Sequence, residues 1–399
     1  MLLVKGAEIF SPEPLGRASI LIGGERILGL GDFTLSGCSW DVFEAGGTIA
    51  LPGFIDSHVH VLGGGGEGGY KTRTPEAALT SCTLAGVSTV IGVLGTDGVT
   101  RSPESLVAKL HALEEEGISA WGLLGYYRVP FETVTGSVQK DLVMIDKFIG
   151  VGEVALSDHR SSQPGFDEFL RLVSDTRLGG MLSGKAGIVQ CHIGDGTRML
   201  ELIRRAVDET EIPVEQFVPT HMNRNPYLFK QGIEFAKNGG RVDFTTSTDP
   251  IFWEEGEVKC SRALKELLDA GIPVGNITFS SDGQGSLPVF DTDGKLKGLT
   301  VGSSRSLWPE VRDAILSEHI PIETAARVIT SNPAAIYRLP RKGRIAENFD
   351  ADIAFVDRGT LEIRHLIARG RVMVKDGKAL VKGTFEQNGQ GSTDLFNRE

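Results

Sequence analysis

Between residues 51 and 342 the chain alternates short apolar runs with longer stretches whose apolar positions recur at helical spacing. The runs are "GFIDSHVHV", "GVSTVIGVLG", "SAWGLLGYY", "FIGVGEVALS", "GIVQCHIG", "QFVPTHM", "RVDFTTS" and "NITFSSDG". Between them "PEAALTSCTLAG", "SPESLVAKLHALEEEG", "RMLELIRRAVDE", "PYLFKQGIEFAKNGG" and "CSRALKELLDAG" show the helical period, punctuated by Gly or Pro. Eight strands alternating with helices predict an α/β fold, a (β/α)8 TIM-like barrel. Residues 1–50 and 343–386 have a different texture: short β segments such as "ASILIGG" and "DADIAFVDR", separated by glycine and Asp-Gly turns. These two ends read as halves of one small β domain. The polar residues 387–399 read as a loosely held tail.

Composition narrows the range of partners. A formal charge of −11 over 399 residues argues against a nucleic-acid or anionic-membrane surface and favours small molecules. No apolar run approaches the roughly 20 residues that span a bilayer, and the first 30 residues lack the pattern of a signal peptide. The four cysteines, Cys38, Cys82, Cys191 and Cys260, are scattered without a Cys-x-x-Cys pair, which fits a soluble protein of the reducing cytoplasm. Cys191 precedes His192 but points to the other face of a strand, so packing is its expected role.

The stretch "FIDSHVHVLGGGGEGGY" carries the first chemical signal, because His58 and His60 share one face of a strand. The carboxyl ends of barrel strands open into one mouth, and the polar residues there form a set. His58 and His60 come from the first strand, Glu153 from the fourth, His192 from the fifth, His221 from the sixth and Asp282 from the eighth. Neutral imidazoles and carboxylates are ligands for zinc and similar ions. His58, His60 and Asp282 would hold one ion, His192 and His221 a second, with Glu153 bridging. The expected cofactor is therefore two divalent metal ions per chain, with zinc the expected metal. Of the remaining histidines, His111, His319 and His365 fall outside these motifs. Asp158 and His159 are expected to play supporting roles, His159 as a hydrogen-bonded core group.

The His-x-His pair, the later single histidines and "SSDG" on the eighth strand resemble the amidohydrolase superfamily. Within it "HVHVLGGGGEGG", "GYYRVP", "TGSVQKD", "SDHRSSQPG", "THMNRN" and "SSDGQGS" resemble the bacterial isoaspartyl dipeptidases over nearly the whole chain. One position departs from that family, whose fourth strand commonly supplies a carboxylated lysine where this chain has Glu153. The carboxylate is kept on a shorter stem, which predicts independence from carbon dioxide.

The resemblance implies hydrolysis of β-aspartyl dipeptides. Such a substrate has two carboxylates, an ammonium group and an isopeptide amide. Arg160 and Arg224 offer planar forks for carboxylate, and Glu67 in the glycine-rich loop can hold the ammonium. The glycines are expected to let that loop fold over the ligand. By resemblance, Tyr127 would donate to the developing oxyanion, and Thr96 and Ser286 would bind the polar ends of the substrate. The expected mechanism is attack by a metal-bridged hydroxide, with Asp282 as general base and then general acid. A cyclic amidohydrolase of dihydroorotase or hydantoinase type is the alternative, against which Glu67 argues; a metal-free scaffold is a more distant one. The resemblance also implies a homo-oligomer.

Overall fold

A computed structural model describes residues 1–33, 39–248, 250–290 and 296–386, so Cys38 and the tail at 387–399 lie outside the described residues. The eight apolar runs form eight parallel strands: β1 (Phe54–Val59), β2 (Val87–Gly92), β3 (Ser119–Leu124), β4 (Phe148–Leu156), β5 (Ile188–Ile193), β6 (Phe217–Thr220), β7 (Val242–Thr245) and β8 (Ile277–Ser280). The first six make one continuous sheet in chain order, and β7 pairs with β8. Every residue of these strands except Trp121 is buried, as expected where a parallel sheet is covered on both faces.

Two seams close the barrel. Between β6 and β7 the Met222 amide donates to the Asp243 carbonyl at 3.2 Å, and the Thr220 hydroxyl donates to the Asp243 carboxylate at 2.7 Å. Between β8 and β1 the His60 amide donates to the Gly283 carbonyl at 2.8 Å, beside a parallel bridge from Val59 to Gly283.

The helices begin where local chemistry favours them. The Ser102 hydroxyl accepts from the Ser105 amide and the Asn225 side chain from the Leu228 amide, each ahead of a proline at the first helical position. The stretch "PEAALTSCTLAG" yields only the short helix Leu79–Thr83. An 18-residue helix, Phe166–Ser183, arises where the sequence analysis placed none. A hairpin, Ser286–Phe290 with Leu296–Val301, follows β8. No described helix is long and apolar enough to cross a membrane.

Both chain ends meet in one seven-stranded sheet. Its centre places Thr48–Pro52 between Glu8–Phe10 on one side and Ile353–Asp357 on the other. Val4, Ile9, Ile20, Phe43, Ile353, Phe355 and Ile367 fill the core between this sheet and a four-stranded one built from residues 2–44. Lys342 is buried where this part joins the barrel. Its ammonium donates to the Ser119 hydroxyl at 2.7 Å, lies 2.9 Å from Asp350 and also bonds Asp352. Burial would lower its pKa, but the two carboxylates outweigh burial and raise it. Lys342→Met is expected to destabilise the fold by about 3 kcal/mol, because it leaves the buried Asp352 without its cation, whereas Asp350 keeps Arg26 and Arg341. A chemical-denaturation midpoint equal to that of the native chain would exclude this role for the joint.

Candidate metal centre and cleft

Six predicted side chains converge at the carboxyl end of the barrel. The alternation of β1 aims Asp56 and His58 inward and leaves His60 at its mouth. His221 and Asp282 follow β6 and β8 with φ of 63° and 53°. Non-glycine residues seldom adopt that left-handed region, so surrounding bonds must hold them there. For Asp282 the hold comes from Asp56, whose carboxylate accepts the Ser281 amide at 2.9 Å, the Ser281 hydroxyl, and the Ser304 hydroxyl at 2.8 Å. For His221 it comes from Thr245, whose hydroxyl lies 2.6 Å from Nδ1 and leaves Nε2 free to face inward.

Glu153 stands at the centre of this set. Its carboxylate lies 3.4 Å from His58 Nε2, 3.4 Å from His60 Nε2, 3.2 Å from His192 Nδ1 and 3.6 Å from His221 Nε2. The shorter stem therefore reaches all four imidazoles. Asp282 Oδ1 is 2.9 Å from His60 Nε2 and 3.7 Å from His58 Nε2. Two triads of potential ligand atoms result, His58–His60–Glu153 and Glu153–His192–His221, each within 4.8 Å and fully buried.

The donor chemistry fits cations. Both ring nitrogens of His58 and Nδ1 of His60 are buried without a hydrogen-bond partner. Polar atoms left so are costly unless something binds them. The electrostatics agree. Burial would lower His58, but Glu153 and then Asp282 hold it up at about 9, so a positive charge is already favoured at that position. Burial would raise Glu153, yet the charge on His58 and the bonds from His192 and His221 hold it well below the usual carboxylate range. His221 goes the other way: burial pushes it down to about 3, which leaves its inward nitrogen as a lone-pair donor.

Above the centre opens a cavity of about 510 Å³. Tyr127 OH lies 2.8 Å from His192 Nδ1, and burial raises its pKa well above the ordinary phenol, so it remains a proton donor. His192 Nε2 faces Asp158 at 3.0 Å, Arg160 at 3.3 Å and Arg224 at 3.5 Å. Asp158 also braces Arg160 through two bonds of 2.9 and 2.8 Å. The Thr96 hydroxyl donates to Glu67 at 2.7 Å, and Arg160 reaches the same oxygen at 3.3 Å. Ser286 lines the cavity beside Gly65, where φ is +67° and a Cβ would fall 2.5 Å from the Thr72 carbonyl.

All the predicted site residues thus share one cleft, but one neighbouring expectation changes. His159 is exposed at the cleft rim and is not a core group. The glycine loop is tied at its root, where buried Arg101 donates to the Leu62 and Gly64 carbonyls at 3.0 Å each. Cys191 is fully buried in the barrel core, as its strand face predicts. Sequence reasoning missed Arg101, Asn223 and Glu257. Asn223 stood inside "THMNRN", two residues after His221, whereas Glu257 carried no motif.

Comparison with known proteins gives a consistent picture. Residues 190–385 match the amidohydrolase family. The chain is similar to the crystal structure of a β-aspartyl dipeptidase from the thermophilic keratin-degrading Fervidobacterium islandicum AW-1 in complex with β-Asp-Leu. Identity is 45%, the TM-score is 0.87, and the match covers 95% of this chain and 98% of that one. An allantoinase from Deinococcus radiodurans is 25% identical over 90% of this chain and 87% of its own. A dihydropyrimidinase from Brevibacillus agri NCHU1002 shares the fold, at 16% identity with a TM-score of 0.65 and a match covering 96% of each chain.

Proposed function

We propose, from the premise that the chain belongs to the β-aspartyl dipeptidases of the amidohydrolase superfamily, that it hydrolyses the isopeptide bond of β-aspartyl dipeptides. The observation carrying this reading is the convergence of four imidazoles on Glu153 beneath a cleft that presents Glu67, Arg160 and Arg224. We read the donor set as suited to two divalent ions, zinc first, with His58, His60 and Asp282 on one side, His192 and His221 on the other and Glu153 between. Divalent cations bound there would supply Lewis acidity, making water more acidic and the amide carbonyl more electrophilic.

The residues of the chain then divide the work. Arg160 and Arg224 bind the free carboxylate of the β-aspartyl unit, and Glu67, steadied by Thr96, holds its ammonium. Tyr127, kept protonated by burial, donates to the oxygen that gains charge as the carbonyl is attacked. Asp282 takes the proton of the attacking water and delivers it to the departing amine. Ser286 and the backbone at Gly65 receive the other polar end of the substrate. We also read residues 1–50 and 343–386 as one small domain beside a barrel at 51–342. By the same resemblance we read the protein as a homo-oligomer, and from its scattered cysteines as a cytoplasmic one.

The reading is tested on the purified holoenzyme by metal analysis together with turnover of β-Asp-Leu, the α-linked isomer and dihydroorotate. Stoichiometric metal with cleavage of β-Asp-Leu alone is expected. Cleavage of the cyclic amide in preference would replace the dipeptidase reading with the cyclic amidohydrolase one.

A further inference from the structure

Three of the residues assigned to the β-aspartyl unit occupy one side of the mouth. Glu67, Thr96 and Arg160 form a single bonded cluster in the segments following β1, β2 and β4, and Arg160 and Arg224 both reach His192. The segments after β7 and β8 form another part of the cavity wall, within reach of the second residue of a substrate anchored there. Thr248, Phe252, Glu257 and Leu287 line the cavity on that side. Glu257 takes no part in the mechanism above.

Glu257 is partly buried and faces the cavity. The Thr248 hydroxyl donates to its Oε2 at 3.0 Å, and the Asn223 amide approaches Oε1 at 3.4 Å. Among the described residues no Lys or Arg forms a salt bridge with it. Burial pushes its carboxyl up to about 7, against the lowering by Thr248 and Arg224. A carboxylate drawn partly out of water without a counter-ion carries a desolvation cost that a cation from the ligand would offset. Phe252 and Leu287 offer apolar surface to the aliphatic stem of a long basic side chain.

We propose that Glu257 is the specificity-determining group of a subsite for the side chain following the β-aspartyl unit, and that this subsite favours basic side chains. The inference rests on the dipeptidase reading and deepens it.

The test compares β-Asp-Lys, β-Asp-(Nε-acetyl-Lys) and β-Asp-Leu with the metal-loaded native enzyme at pH 8, where Glu257 is largely ionised. The expected kcat/KM for β-Asp-Lys exceeds that for its acetylated counterpart about tenfold, the size of one charge-assisted contact. In Glu257→Gln that ratio should fall to about one. Cleavage of all three peptides with no preference for the free lysine in the native enzyme would overturn the subsite while leaving the dipeptidase reading intact. A preference that survives Glu257→Gln would overturn the role of this residue. Cleavage of none would overturn the dipeptidase reading and the subsite with it. The acetyl-lysine comparison needs no variant, so it decides even if Glu257→Gln does not fold.

Discussion

Glu153→Ala should lose bound metal and turnover together, with kcat falling at least about a thousandfold, since a Lewis-acid centre supplies several kcal/mol of transition-state stabilisation. Glu153 is 1% exposed and its carboxylate lies within 3.6 Å of four imidazoles. Removing it takes away the one carboxylate common to both triads, so cations bound there would lose their shared anion. Metal analysis by mass spectrometry, with kcat for β-Asp-Leu on the same preparation, checks both losses. Glu153→Lys is the informative companion. A lysine there restores an anion only if its amine is carboxylated, so activity should return in part with bicarbonate and stay low without it. Retention of two metals by Glu153→Ala would remove Glu153 from the bridging role.

The second large effect is expected at Asp282. Burial would raise its pKa, but hydrogen bonding to His60 and the charges on His60 and His58 hold it at about 2, so it is ionised at neutral pH, as a group that is to accept a proton must be. Asp282→Asn should lower kcat about a thousandfold with a smaller change in KM, within the range for a lost general acid–base group. Leaving groups separate proton delivery from simple ligation. A β-aspartyl anilide bearing a nitro group departs with less need of a proton, so the deficit of Asp282→Asn should shrink on that substrate. An equal deficit on both substrates, or loss of metal accounting for all of it, would confine Asp282 to ligation.

Several features were legible in the residues because they depend on local order. The eight strands were visible because each is a short apolar run bounded by turn residues, and burial on both sheet faces demands such runs. The His58 and His60 pair was visible because strand periodicity puts them on one face. The helix at Phe166–Ser183 was not. It carries Gly179 and Gly180, residues of low helix propensity, yet a Cβ at Gly180 would meet Gly187 Cα at 2.4 Å and one at Gly179 would meet Leu142 at 2.9 Å. Those glycines serve close packing of the helix against its neighbours, a reason that exists only once the neighbours are in place.

The candidate site divides in the same way. Residue type and position at strand ends brought out the six potential metal ligands, and family motifs brought out Tyr127, Thr96 and Ser286. By itself the sequence determined the alternation of strands and helices and the side chains offered to the mouth, because periodicity and residue chemistry act over a few neighbouring positions. The tertiary structure decided how those side chains are held. Asp56 clamps Ser281 from 225 positions away, Arg101 ties a loop 37 to 39 positions distant, and Glu257 faces a cleft built largely by other strands. These contacts depend on barrel closure, which brings together segments with no shared local pattern, and hydrogen-bond geometry is set by distances in space, not along the chain.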